Sequence, residues 1–263
     1  MAYRGDDSAD ALEAPSAEGL LRVALGPNRL DLTVAQRSLH IADGTATLVE
    51  HKKKKQERRA SIKLDGPLVV ARGFPREAFG IWIELPPDPP KKATKNKKKP
   101  DTSDPVADIR AMQRVFGVEP PDLLAGDGLA NLAKLDTVAH RVRTHLENFA
   151  PVRRGIEIGS GHALDKVLLA DHGDRYVVYA RRLFRDRARY AMTIHADGRI
   201  LVPDGRVLKE VTVTSKFGVT VRGDYVRFAD PHGTDLARVS VPWIGPEDRD
   251  ELARRIGQLV HRS

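Results

Sequence analysis

The chain has 263 residues, of which 41% are hydrophobic, so it can build one large domain or two of ordinary size. It contains no cysteine, which excludes disulfides, thiolate metal sites and cysteine nucleophiles. The formal net charge of +8 favours partners that carry phosphate groups or carboxylates. No apolar run approaches the roughly 20 residues that span a bilayer, and the acidic start of the chain lacks the apolar stretch of a secretory signal. The composition predicts a cytoplasmic protein, which would be peripheral if it meets a membrane.

Strand-like alternation of apolar and polar residues fills the first part of the chain. We expect residues 1–18 to be a flexible acidic leader, and from Leu20 onward apolar residues recur at every second position. Asp43-Gly44 is a strong hairpin signal between two such runs. The predicted strands contain residues 21–25, 30–34, 39–41, 45–49, 60–64, 67–71 and 79–85. This pattern predicts a meander of antiparallel strands.

Two lysine-rich runs interrupt this region. The first loop spans residues 52–59 and begins with Lys52, Lys53, Lys54 and Lys55. The second, within residues 86–104, follows a proline-rich stretch and contains Lys91, Lys92, Lys95, Lys97, Lys98 and Lys99. Clustered lysines attract phosphate groups or acidic partners without regard to detailed geometry. The alternative is a charged insertion that keeps a loop soluble and a sheet edge unpaired.

Helical spacing follows the second lysine run. Asp104 with Pro105 at the first helical position predicts a helix that carries Ile109, Met112 and Val115/Phe116 on one face. A second, longer helix is predicted from apolar residues in steps of three and four. These residues are Leu129, Leu132, Leu135, Val138, Val142, Leu146 and Phe149. We expect this stripe to pack on the preceding sheet.

The second half repeats this order of strands followed by a helix. The predicted strands are residues 155–158, 166–170, 176–180, 190–195, 199–202, 207–213, 218–221, 225–228 and 236–241. A helix over 246–260 follows, with Pro246 at its start and acidic residues in its first turns. The predicted fold class is α+β, mainly antiparallel β, with two tandem bent-sheet domains at residues 19–150 and 151–263. Each domain is expected to be closed by C-terminal helix.

The strand series from Tyr176 to Val241, followed by the helix of residues 246–260, resembles the bacterial pleckstrin-homology-like family. That family has a small, strongly bent antiparallel sheet, one end of which is plugged by a C-terminal helix. The resemblance rests on element order and extends more loosely to the first half, where an extra helix and the lysine-rich insertions depart from it. It implies a tandem of such domains. It also implies that an early hairpin rich in basic residues is where anionic lipid headgroups dock, in members that bind them.

Five arginines lie within nine residues of the second half: Arg181, Arg182, Arg185, Arg187 and Arg189. Alternate residues of a strand share one face, so the last three would form a row with about 7 Å between successive members. Guanidinium groups fixed in a row can bind phosphates bidentately. The alternative is the solvated face of a two-sided hairpin, partly neutralised by Asp186.

Two segments suggest enzyme chemistry, each with a simpler alternative. Glu157–Ala163 resembles the first motif of methyltransferases, but Ala163 replaces the third glycine, and a strand-end turn is expected instead. A local His/Asp cluster could coordinate a metal or act as acid and base, although its Asp171–Asp174 portion is typical of a hairpin turn. This cluster consists of His162, Asp165, Asp171, His172 and Asp174.

The sequence therefore predicts a non-enzymatic interaction module that needs no cofactor or metal. Its arginine and lysine clusters would bind an anionic membrane surface or an acidic protein. The alternative is an accessory protein that binds nucleic acid without sequence specificity. A methyltransferase-like or metal-dependent enzyme around Gly159–Asp174 is the third and least favoured hypothesis.

Overall fold

The computed structural model describes residues 10–52, 56–73, 78–85, 111–164, 166–181, 187–204, 207–212, 217–222, 225–240 and 246–260. The chain divides into two compact units. The first comprises residues 1–84 and 113–164, and the second comprises residues 85–112 and 165–263. Most of the described residues are in strands, and most strand pairs are antiparallel, which confirms the predicted predominance of antiparallel β structure.

The first unit begins with a six-stranded meander in which every neighbouring pair is antiparallel. Its strands are β1 (Asp10–Ser16), β2 (Gly19–Gly26), β3 (Arg29–Val34), β4 (Arg37–Ala42), β5 (Thr45–Lys52) and β6 (Gln56–Lys63). The turn between β4 and β5 has positive φ at both Asp43 (49°) and Gly44 (72°), the conformation of a type I′ turn. The meander and its strongest hairpin signal are therefore confirmed.

Four more strands complete the β structure of this unit: β7 (Leu68–Gly73), β8 (Phe79–Leu85), β9 (Ala111–Val118, from Gln113 onward in this unit) and β10 (Ile158–Ala163). β8 is antiparallel to β7, whereas β10 is parallel to β7. The helix predicted from Asp104 is wrong over residues 111–118, which form β9 beside β8. The N–H of Ala78 donates to the carbonyl of Val118 at 3.0 Å, so β9 runs antiparallel to β8.

The long predicted helix is confirmed as α1 (Gly128–Glu147), and a short α2 (Ala150–Arg153) follows it. α1 packs on β1 and, less extensively, on β7, β10 and β2. Its buried residues Leu135, Val142 and Leu146 join the inner side chains of the meander in one apolar core. The buried stripe is shorter than predicted, because Leu129 is 73% exposed.

Three further boundaries differ from the sequence-based expectation. Residues 10–16, assigned to the acidic leader, form β1, because Ala14 is buried in the core and the strand pairs along its length with β2. Residues 56–59, assigned to the first lysine-rich loop, belong to β6. The first unit does not end on a helix, because the chain continues from α2 into β10.

The second unit contains two antiparallel groups of strands. The first group is β11 (Val167–Asp171), β12 (Arg175–Arg181), β13 (Arg187–His195), β14 (Arg199–Asp204) and β15 (Val207–Thr212). The second group is β16 (Gly218–Arg222), β17 (Tyr225–Ala229) and β18 (Asp235–Ser240). The predicted last helix is confirmed as α3 (Pro246–Val260), which packs on β16 and buries Leu252, Ile256 and Leu259 completely.

Polar contacts fix the first turns of α3. The carboxylate of Asp248, which is only 4% exposed, accepts a hydrogen bond of 3.0 Å from the N–H of Lys166, just before β11. One turn later, hydrogen bonds from Arg254 and then Arg255 lower the pKa of Glu251 to about 2, against the opposing effect of burial. The helix therefore carries a permanently charged cluster on its outer side and a carboxylate that holds β11 to its start.

Candidate functional site

The three cationic clusters of the sequence have equivalent positions in the topology: each includes a segment that joins two neighbouring antiparallel strands. Residues 53–55 join β5 to β6, residues 182–186 join β12 to β13, and residues 86–110 join β8 to β9. These three segments lie outside the described residues. The predicted site residues that fall on them are Lys53, Lys54, Lys55, Lys97, Lys98, Lys99, Arg182 and Arg185. Lys52, at the end of β5, is described and exposed.

The described part of the arginine row lies at the start of β13. Arg187 and Arg189 are exposed, and Ala188 between them is completely buried, so the two arginines share the outer face of the strand. Arg181, the last residue of β12, stands opposite Ala188 in the register and not opposite either arginine. The strand geometry predicted for the row is therefore confirmed for two members, and Arg181 is not aligned with them.

Two tyrosines stiffen the strand pair behind this row. The rings of Tyr179 on β12 and Tyr190 on β13 pack edge to face, with their centroids 6.3 Å apart. The hydroxyl of Tyr190 donates to the carbonyl of Leu201 at 3.2 Å and lies 2.9 Å from Thr193 Oγ1. Burial raises the pKa of Tyr190, so the hydroxyl remains a neutral donor. Arg187 and Arg189 thus extend from a strand that pairs with β12 and is tied to β14 by the Tyr190 hydroxyl.

The β5–β6 hairpin carries the second described set of cations. Arg58 Nη1 lies 3.9 Å from Glu50 Oε2, and Arg59 Nη2 lies 3.1 Å from Glu57 Oε1. Both arginine side chains are about two-thirds exposed or more. Exposed ion pairs of this kind contribute roughly 0–1 kcal/mol. These partners are therefore weak enough to be exchanged for another anion.

The glycine-rich segment has no methyltransferase-like geometry. Gly159, Ser160 and Gly161 lie within β10, where they pair with residues 69–71 of β7. The expected strand-end turn is wrong, since the segment is a paired strand with alternate residues buried. The motif of methyltransferases needs a turn that leads into a helix, whereas here the next element is strand β11.

The Asp171–Asp174 portion of the His/Asp cluster forms a hairpin turn, as expected, whereas His162 lies in β10. Gly173 has φ of 87°, its N–H donates to Asp171 Oδ1 at 2.9 Å, and the N–H of His172 donates to the Arg175 carbonyl at 3.0 Å. Asp165 lies outside the described residues. Within the described ranges, no three His, Asp or Glu side chains are grouped so that they could hold a metal ion.

One constellation was missed by sequence reasoning. On the outer face of the meander, His40 Nδ1 lies 2.7 Å from Asp31 Oδ1, and His40 Nε2 lies 3.1 Å from Ser38 Oγ. This is the order of contacts in a Ser-His-Asp triad. The i, i+2 spacing of Ser38 and His40 was visible, but the partnership with Asp31 depends on the register of β3 against β4.

This constellation does not have the surroundings of a hydrolase. β4 is paired on both sides, with β3 and with β5, so the backbone N–H groups around Ser38 are used in the two ladders. An oxyanion hole needs donors that point at the developing charge. Ser38 is also only 7% exposed. The contact of His40 with Asp31 links the side chains of β3 and β4 on this face of the sheet.

A cavity of about 280 Å³ opens in the first unit beside the start of β4. Arg37 at its wall donates to Glu18 and, at 3.0 Å, to the carbonyl of Gly117, and it lies 5.6 Å over the ring of Phe116. The lining residues are Glu18, Arg37, Arg114, Gly117, Val118 and Glu119. Two arginines and two glutamates make this cavity electrostatically balanced, and Arg37 is already committed to internal partners. The residues that line the cavity therefore carry no net positive charge to attract an anion.

No helix in the part of the chain that the structure describes has the length and apolar character to cross a membrane. Comparisons with protein-family models, with curated proteins and with solved structures found no match to this chain. The function of the protein is therefore inferred from its own geometry, above all from the exposed arginine pair on β13.

Proposed function

We propose that this protein is a non-enzymatic interaction module that docks on anionic membrane surfaces through the arginine cluster of the β12–β13 hairpin. The observation that carries the proposal is the position of Arg187 and Arg189 on the exposed face of a strand braced from behind by Tyr179 and Tyr190. Such a strand holds the Cα atoms of the two arginines at fixed spacing, so less conformational entropy is lost when their guanidinium groups bind phosphates.

The sequence of the connecting segment favours a membrane over a nucleic acid. Leu183 and Phe184 stand among the arginines, and apolar side chains beside basic ones suit the boundary between headgroups and acyl chains. A duplex offers no comparable apolar environment at its phosphate backbone. Aromatic residues make up only 5% of the chain, which is little for a surface that stacks bases.

The expected strength follows from the number of charges. Each basic residue close to an anionic bilayer contributes about 1 kcal/mol, so five arginines supply about 5 kcal/mol. The attraction decays over a Debye length of about 8–10 Å at physiological salt. Lysine clusters in the β5–β6 and β8–β9 connections add long-range attraction. The pleckstrin-homology-like resemblance of the second unit belongs to the same proposal, since it associates a basic hairpin with lipid headgroups.

Charge reversal of the arginine pair tests the proposal. We expect the double variant Arg187→Glu/Arg189→Glu to weaken binding to phosphatidylserine-containing vesicles by at least about 2 kcal/mol, or about 30-fold. The loss arises because two attractive contacts become repulsive. Co-sedimentation of the full chain with vesicles of increasing phosphatidylserine content measures the affinity.

The matched control is Lys209→Glu/Arg222→Glu, at two exposed positions of β15 and β16 in the same unit. Either double variant changes the formal net charge by 4, from +8 to +4. We expect the control to bind vesicles nearly as well as the wild type. Equal losses in both variants would mean that net charge alone drives binding, and no loss in the arginine variant would refute the proposed site.

A further inference from the structure

β6 is the last strand of the six-stranded meander, and no neighbour pairs with its outer edge among the described residues. It runs for eight residues in continuous register with β5, without a bulge or a proline. The opposite edge differs, because α1 packs on β1 and Arg141 forms an ion pair of 3.0 Å with Asp10. An open, regular edge is a template for one more strand.

The hydrogen-bond phase of the ladder shows which backbone groups face outward. The N–H of Leu64 donates to the carbonyl of Gly44 at 2.8 Å, directly beyond the pair of Thr45 with Lys63. In an antiparallel ladder, residues whose N–H and C=O bond to the partner strand alternate with residues whose N–H and C=O point away from it. Because Leu64 bonds to the β5 side, the even-numbered residues of β6 direct their backbone groups to β5. The residues whose N–H and C=O point to the open edge are Glu57, Arg59, Ser61 and Lys63.

Both faces of this edge are accessible. Residues 57–61 are all exposed, although they alternate between the two faces of the sheet, so this part of β6 lies outside the core. An incoming strand would therefore meet no side-chain barrier from the described residues on either face. Its own side chains would instead lie beside those of β6.

The charge of the edge selects the kind of strand. β6 carries three basic residues and one acidic residue, and among the described residues Arg58 and Arg59 pair with Glu50 and Glu57, whose side chains are 35% and 42% exposed. Pairing with β6 of a second copy would place basic side chains beside basic ones, which is unfavourable. A strand rich in aspartate or glutamate would be complementary to it.

We propose that the edge of β6 binds an extended acidic segment of a partner protein as a seventh strand of the meander. Main-chain hydrogen bonds to the four outward-facing residues provide the affinity. Arg58, Arg59 and Lys63 select for acidic side chains on the incoming strand. The residues of this site belong to the first unit, whereas Arg187 and Arg189 belong to the second.

The test uses the full chain and a fluorescein-labelled peptide of alternating valine and glutamate, as long as β6, with fluorescence anisotropy as the readout. Ser61→Pro removes one outward N–H without breaking the ladder to β5, because proline is tolerated on an edge whose N–H faces solvent. We expect it to weaken peptide binding about tenfold, whereas Ser61→Ala should leave binding almost unchanged. Arg59→Glu should weaken binding about fivefold.

A peptide of alternating valine and lysine is the charge control and should not bind. Circular dichroism and urea unfolding establish that the Ser61→Pro variant is folded. The proposal is overturned if the wild type does not bind the acidic peptide at low salt. It is also overturned if folded Ser61→Pro binds as tightly as Ser61→Ala, because the contact would then not be strand addition.

Discussion

Replacing Leu135 by alanine should lower the free energy of unfolding by about 2–5 kcal/mol. Leu135 is completely buried on α1, in the core that this helix forms with the inner face of the meander. The substitution removes apolar surface from the core and leaves a cavity. The cavity cannot close easily, because β2 and β7 beneath the helix are each hydrogen-bonded to neighbours on both sides. Urea unfolding followed by circular dichroism measures the change.

Leu129 provides the matched control on the same helix. Its side chain is 73% exposed, so Leu129→Ala should change the free energy of unfolding by no more than about 0.5 kcal/mol. Helix propensity changes equally in the two variants, and the difference between them therefore isolates burial. A similar loss in both would contradict the packing of α1 on the meander.

The second large effect is expected at the start of the same helix. Gly128 is the first residue of α1, and a Cβ there would lie 2.4 Å from the carbonyl oxygen of Asp122 and 2.5 Å from the Cα of Leu123. Backbone atoms cannot rotate out of the way as a flexible side chain can. Gly128→Ala should therefore destabilise the protein by about 1–3 kcal/mol, although alanine is the better helix former by about 1 kcal/mol.

Gly126, two residues earlier, separates this steric effect from a general effect of adding a methyl group. A Cβ at Gly126 would have no atom within 4 Å, so Gly126→Ala should change the free energy of unfolding by at most about 0.5 kcal/mol. Thermal unfolding of the two variants side by side measures the difference. If Gly128→Ala were as stable as Gly126→Ala, the close approach of residues 122–123 to the helix would be wrong.

Much of the strand pattern could be predicted because its signals are local. In the meander, alternation and turn residues such as Asp43-Gly44 coincide, and the type I′ turn required there leaves little choice of register. The last helix was equally clear, because Leu252, Ile256 and Leu259 fit one face and acidic residues start it.

β9 could not be predicted in this way. Its residues Met112, Val115, Phe116 and Val118 are buried, and their spacing fits one face of a helix as well as a strand covered on both faces. The pairing with β8 decides that this segment is a strand, and the residues of β8 lie more than twenty positions away in the chain. Tertiary context therefore overrides the apparent helical period.

The candidate sites were predicted only in part for a similar reason. The shared face of Arg187 and Arg189 follows from strand alternation alone, and β13 presents both residues on one face. The position of Arg181 opposite Ala188, the open edge of β6 and the contact of His40 with Asp31 all depend on which strands are neighbours and in which register. No local sequence signal specifies those pairings.

The most direct test of the membrane proposal compares three targets for the unmodified full chain at about 0.15 M salt. These are phosphatidylserine-containing vesicles, neutral phosphatidylcholine vesicles, and a DNA duplex that presents the same phosphate concentration. We expect co-sedimentation with the anionic vesicles, none with the neutral ones, and weaker binding to the duplex. Binding to DNA as tight as to anionic vesicles, or no binding to the vesicles, would contradict membrane docking by the β12–β13 arginines.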